Sequence, residues 1–273
     1  MSEMHRPSWD DYAAEYESVH EPLTGRFAAR ALELVPVGAS QQVLDVAAGP
    51  GTLAVLAARR GAHVTAIDTS PRMIARLQDR LRAGGHVGSE GHSMDAARLD
   101  LEDARFDAVF CIFGIMLVPD YQAALAEMAR VTKPGGRAAV VMWSGLEHMQ
   151  HVQVWLRAVV AACPQFQPSP PPDCWTVLQN AASLRRVMQA AGYVDVTVHT
   201  ETCRWRVASP AWFADHADLS PAAESLYRGL GSDARPAVRR ELERQLREHY
   251  GSGSFDLAAE AHIAVGVRQA VPH

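Results

Sequence analysis

No stretch of this 273-residue sequence approaches 18 uninterrupted apolar residues, so no membrane-spanning helix is expected. Clustered positive charge is missing too. With 26 Lys and Arg against 31 Asp and Glu, the formal net charge is −5, and the basic surface that many phosphates demand is not in view. No nucleic-acid partner is expected. The four cysteines, Cys111, Cys163, Cys174 and Cys203, have neither C-x-x-C spacing nor a histidine at finger-like distance, which argues against structural zinc or any other metal. Reduced thiols are the expectation. The opening M-S-E-M-H-R-P-S-W-D-D carries no apolar run behind a basic start, and this points to a cytoplasmic chain. A monomer or homodimer is expected.

What is present is an alternation. Between Gln42 and Trp143, short β-branched or apolar runs alternate with helical segments, the pattern of a doubly wound parallel sheet. Strands are expected at Val43 to Ala47, Val64 to Ile67, Val87 to His92, Phe106 to Ile112 and Arg137 to Trp143. Helices fit between them at Thr52 to Arg60, Pro71 to Arg82 and Tyr121 to Thr132, the last ended by Lys133-Pro134-Gly135-Gly136. Residues 42–143 therefore read as the core. Ahead of it, residues 1–41 hold two expected helices parted at Glu21-Pro22, with Trp9, Tyr12, Tyr16, Phe27, Leu32 and Val35 at helical intervals. Residues 144–181 leave the core as a helix near Met149 to Ala162 and a proline-rich loop, Pro164 to Pro172. Residues 182–273 return to it with a helix at Ala182 to Ala191, a strand at Tyr193 to His199 and a final strand at Leu257 to Arg268. Between these two strands, residues 209–251 carry two or three amphipathic helices rich in Arg and Glu at i, i+4 spacing.

The chemistry is expected in the loop V-L-D-V-A-A-G-P-G, Val43 to Gly51. Gly49, Gly51 and Ala54 satisfy a loose G-x-G-x-x-A between strand and helix, which a dinucleotide dehydrogenase would share. Asp45 separates the possibilities. Its carboxylate, expected to face the crevice, would repel a pyrophosphate and attract an ammonium group. Asp68 ends the second strand where a carboxylate can accept from ribose hydroxyls, and Asp95 follows the third strand at the same edge. Singly, each could be a helix cap or turn residue. Together they fit a ligand with an ammonium, a ribose and an adenine.

At these residues the chain resembles the class I S-adenosylmethionine-dependent methyltransferases, particularly the group around the ubiquinone and menaquinone biosynthesis C-methyltransferases. The likeness runs through V-L-D-V-A-A-G-P-G, A-I-D-T-S-P-R-M-I, F-D-A-V-F-C-I-F-G-I-M-L-V-P-D and E-M-A-R-V-T-K-P-G-G-R-A-A-V-V-M-W, covering about Gln42 to Trp143. It implies S-adenosylmethionine as cofactor. By that resemblance Asp45, Ala47, Gly49 and Gly51 would hold the methionine end, Asp68 and Thr69 the ribose, Met73 an adenine face, Met94, Asp95 and Ala96 the adenine edge, and Cys111, Ile112 and Phe113 the floor. Ala48 and Ile112 depart from the residues common there. The implied fold is a Rossmann-like α/β sheet of seven strands, order 3-2-1-4-5-7-6 with the last antiparallel, under a helical lid.

Methyl transfer from a sulfonium needs alignment and dryness more than a catalytic triad. A base would help with an oxygen, nitrogen or acidic carbon acceptor, and His148, His20 and His151 are the candidates, although packing or surface histidines are commoner. Tyr12, Tyr16, Met116 and Trp143 are expected around a small-molecule substrate such as a quinone, polyketide or terpenoid. Two other readings stand beside this one: a cyclase-like enzyme or binding protein that keeps the cofactor without transferring methyl, and an NAD-dependent oxidoreductase.

Overall fold

A computed structural model describes residues 8–167, 172–217, 230 and 232–269. Four central strands are apolar on both faces, as strands covered by helices must be: β1 (Gln42–Val46), β2 (His63–Asp68), β4 (Phe106–Ile112) and β5 (Thr132–Trp143). With β3 (Glu90–Ser93), β6 (Tyr193–Val207) and β7 (Phe255–Arg268) they form one sheet in the order β3-β2-β1-β4-β5-β7-β6. The expected order is the observed one. β7 lies antiparallel between β5 and β6, with Arg137 opposite Val267 and Tyr193 opposite Arg268.

Helices α4 (Thr52–Ala58), α5 (Pro71–Ala83) and α6 (Tyr121–Val131) make the crossovers. Local chemistry sets their starts: Ser70 caps α5 through Met73 N with Pro71 in the first turn, and Asp120 caps α6 through Ala123 N. Before the sheet come α1 (Trp9–Tyr12), α2 (Tyr16–Val19) and α3 (Glu21–Leu34). After β5 come α7 (Gln150–Ala162), α8 (Asp173–Leu178) and α9 (Ala181–Ala190), and between β6 and β7 lie α10 (Pro210–His216) and α11 (Arg235–Tyr250). Part of the proline-rich loop, at residues 168–171, and any helix within 218–229 lie outside the described residues.

Four boundaries differ from expectation, each for a local reason. Glu21-Pro22 starts α3 instead of interrupting it, because proline is tolerated in the first turn. Val87 is not in a strand: it sits 93% exposed in a turn where Gly85 and Gly88 take positive φ, and β3 begins only at Glu90. β5 starts at Thr132, which pairs with Phe106 before the Pro134-Gly135 irregularity shifts the register to Ala108 with Arg137. β6 runs on to Val207 because β7 offers it a partner as far as Phe255. On α11, Arg244 meets both Glu241 and Glu248, and Gln245 donates to Glu241 at 2.7 Å.

The switch in strand order falls between β1 and β4, where the chain leaves the sheet to opposite sides and a crevice opens at the strands' carboxyl ends. Gly114 lets the two exit loops touch. A Cβ there would lie 2.4 Å from Ala47 Cβ and 3.1 Å from Cys111 Sγ. Gly114→Ala is therefore expected to lower the denaturation free energy by about 1–3 kcal/mol, the usual range for overpacking. A urea midpoint equal to the parent's would contradict this close approach.

Candidate active site

The loop after β1 turns on three left-handed residues, Ala47 (φ 53°), Gly49 (φ 55°) and Gly51 (φ 86°). Gly51 caps α4 without a side chain to offer, and Asp45 fills the role from the strand below. Its Oδ2 accepts from Ala54 N at 3.1 Å. Asp45 thus lies 1% exposed beneath the loop and does not line the crevice, contrary to expectation. The reason is geometric, since a carboxylate at that strand end is the nearest acceptor for the first turn of α4. Asp68 is the acid that reaches the crevice. Its Oδ2 accepts from Gly49 N and its Oδ1 from Ser70 N, both at 2.9 Å.

Burial pushes Asp45 up to about 8, with Asp68 adding repulsion, and burial raises Asp68 above the usual carboxylate range as well. Beside these two acids, a Cβ on Gly49 would meet nothing within 4 Å. A ligand can approach the backbone there.

A cavity of about 410 Å³ runs over this loop. Ala47, Gly49, Asp68, Thr69, Met73, Met94, Asp95, Ala96, Ile112 and Phe113 line it, and so do Tyr16, His20, Met116, Trp143 and His151. Four expected residues stand behind the wall: Asp45, Gly51, Cys111 and Tyr12. Burial lifts the Cys111 thiol to about 12, and Tyr12 packs edge-on to His20 with ring centroids 5.5 Å apart. His148 is the clear departure. It sits half-exposed in a 3-10 turn, its Nε2 3.7 Å from Glu147, and does not line the cavity. The backbone turns after Gly145 (φ 153°) and presents His151, one helical turn on, instead.

Sequence reasoning missed most of the far wall. Trp155, Trp175, Trp205 and Trp212 join Trp9 and Trp143, so all six tryptophans of the chain line one cavity. They arrive from α1, β5, α7, α8, β6 and α10. The only sequence signal was their concentration outside the core pattern, four of the six falling after Trp143.

The N-terminal helices cross the crevice and are tied to α5. Asp10 accepts from Ser70 Oγ at 2.5 Å and Arg72 N at 3.0 Å, and three arginines spaced along α5 reach three acids: Arg72 to Asp11 (3.9 Å), Arg76 to Glu17 (2.7 Å) and Arg80 to Glu21 (2.7 Å). Each pair alone is worth little at the surface, but the series fixes which face of the segment looks inward. That face carries Trp9, Tyr16, His20 and Thr24.

His20 Nε2 and His151 Nδ1 are buried without hydrogen-bond partners among the described residues. Apolar surroundings hold His20 down to about 4 and His151 to about 3, with His20 contributing to the second shift. From the ordinary value of 6.5, both therefore take fewer protons folded than unfolded. Their stabilising contribution is complete above pH 6.5 and is lost as pH falls toward 4 and then 3. Asp45 works in the opposite sense, losing stability as pH rises from 3.8 through about 8. In urea titrations, a His20→Gln, His151→Asn variant is expected to lose less stability than the parent between pH 6.5 and 4. An identical pH slope would contradict the neutral imidazoles.

Comparison with known proteins agrees with this geometry. Residues 43–136 match a family model described as a methyltransferase domain. An uncharacterised protein of Mycobacterium bovis is 36% identical over 146 residues, 53% of this chain and 52% of its own, so the chain spans about half the length of that relative. Demethylmenaquinone methyltransferase of Mycolicibacterium gilvum is 33% identical over 226 residues, 78% of this chain and 93% of its own. The solved YcgJ protein of Bacillus subtilis superposes with a TM-score of 0.58 at 14% identity, over 90% of this chain and 99% of its own. Sheet order, glycine loop and these relatives place the chain in the class I S-adenosylmethionine-dependent methyltransferases.

Proposed function

We propose that this chain methylates a small organic acceptor, with cofactor and acceptor sharing a single cavity. The observation that carries the reading is the continuity of that cavity, from the Gly49 and Asp68 end to the tryptophan end. Bound S-adenosylmethionine supplies an already activated methyl group on a cationic sulfur. The chain's own part is to hold, orient and keep dry.

The residues present fit that cofactor. Gly49 offers an open backbone approach, and Asp45 and Asp68, two acids that burial makes reluctant to ionise, favour a positively charged ligand over a pyrophosphate. In this reading Asp68, its oxygens already bonded to Gly49 N and Ser70 N, also accepts from ribose hydroxyls. Thr69 stands beside it, Met73 supports the adenine from below, and Met94, Asp95 and Ala96 meet its edge. Asp45 acts from beneath, by its field and by fixing α4, and does not need to touch the ligand. Ile112 and Phe113 form the floor, and Tyr16, Met116 and Trp143 border the acceptor. His20 and His151 replace His148 as the bases in reach. Alignment of acceptor and methyl group in such a site can contribute about 7–11 kcal/mol.

Among the described residues, no helix is long and apolar enough to cross a membrane, in keeping with an acceptor met from solution. Gly49→Ala tests the cofactor site. Its Cβ would enter open space and leave the core untouched, so the thermal midpoint should fall only modestly, while the Kd for S-adenosylhomocysteine should rise at least about tenfold, a 1.4 kcal/mol loss. Unchanged affinity in calorimetry would remove the ligand from this loop.

A further inference from the structure

The far end of the cavity has a composition that narrows the acceptor. All six indoles of the chain, with Phe213, line the cavity, and two of them make flat stacks: Trp143 on Phe113 of the floor (3.9 Å, 21°) and Trp212 on His216 (4.5 Å, 18°). Flat slots of this kind suit a planar ring. Trp175 is fixed in place, its Nε1 donating to Met116 O at 2.9 Å. Among the described residues lining the cavity there is no lysine or arginine, and the acids, Asp68 and Asp95, stand at the cofactor end. A carboxylate or phosphate ester entering this space would be desolvated without a counter-charge, which is costly.

Two polar atoms of lining residues have no hydrogen-bond partner among the described residues, His20 Nε2 and His151 Nδ1. The third histidine on the wall, His216, is occupied, its Nδ1 donating to Trp212 O at 2.7 Å. Unpartnered buried imidazole nitrogens are uncommon and want explanation. They come from different elements, His20 from the end of α2 and His151 from the start of α7, and both line the cavity. A single donor placed between them would satisfy one or both.

Resting on the methyltransferase reading above, we propose that the acceptor is an uncharged planar molecule with a ring hydroxyl, a phenol or an enol, and that His20 and His151 together receive its proton. The step balances. The O–H electron pair stays on oxygen, the new O–C bond is made as the S–C bond gives its pair to the departing thioether, and the proton passes to one imidazole. The positive charge that leaves sulfur reappears on the imidazolium, so the dry cavity carries the same charge before and after. A phenol, with a pKa of about 10, gives its proton to an imidazole far more readily than an aliphatic alcohol, which ionises about as reluctantly as water near 15.7.

The test uses the whole chain loaded with S-adenosylhomocysteine, whose binding by calorimetry checks the underlying reading separately. The probes are 1-naphthol, 2-naphthol and 4-methylphenol, each set against the carboxylate of the same ring. With every tryptophan on the cavity wall, intrinsic fluorescence reports occupancy directly. Saturable quenching by phenols, with carboxylates at least about tenfold weaker, is expected. In parallel, methyl-labelled S-adenosylmethionine should yield a labelled methyl ether from at least one phenol. His20→Gln and His151→Asn keep a neutral hydrogen-bonding atom near each position, so they should leave quenching by the phenols intact while lowering kcat by roughly 10²-fold, the usual share of a general base. Carboxylates binding as well as phenols would overturn the proposal, as would no phenol methylated by a chain that binds S-adenosylhomocysteine, label on a ring carbon, or undiminished kcat in both variants. Failure of S-adenosylhomocysteine to bind would instead sink the cofactor assignment.

Discussion

Asp45 and Asp68 each commit a carboxylate oxygen to the backbone around one glycine loop, one to Ala54 N and the other to Gly49 N. Both acids lie at the carboxyl ends of neighbouring parallel strands, and both are held above their ordinary pKa by burial. This arrangement fixes the loop's left-handed turns, the start of α4 and the open face of Gly49. It also leaves two acids reluctant to ionise until a cationic ligand arrives. The proposed cofactor end of the cavity rests on that pair of acids.

The other end is built on the opposite principle. Tryptophans from six separate elements line the cavity together with His20 and His151, each of which has an imidazole nitrogen without a hydrogen-bond partner among the described residues. A charged end and a dry end in one cavity are what a methyl donor and a neutral acceptor need. The strap that closes over both is positioned from outside, through the arginines of α5.

Much of this was legible from residue order. The strand at Phe106 to Ile112 and the helix start at Pro71 rest on short-range pattern, the place of the last strand on the family resemblance, and the structure keeps all three. Val87 misled because β-branching speaks for a strand while Gly85 and Gly88, needing positive φ, speak louder for a turn. Asp45 was found, but its direction was not: which way a carboxylate points depends on the orphan N–H groups of α4, a tertiary matter. His148 and His151 are equivalent in sequence, and only the turn at Gly145 decides that the second faces the cavity. The tryptophan wall was invisible, since its members lie up to 203 positions apart, from Trp9 to Trp212, and share no spacing.

The electrostatic claim is open to direct measurement by calorimetry of S-adenosylmethionine binding at pH 7 in buffers of differing ionisation enthalpy. Asp45, held near 8 in the free chain, should ionise when the cation arrives, so binding should release a substantial fraction of a proton, and Asp45→Asn should abolish that release. Binding without proton exchange, or the same release from the Asn variant, would contradict the account of a loop poised by buried acids.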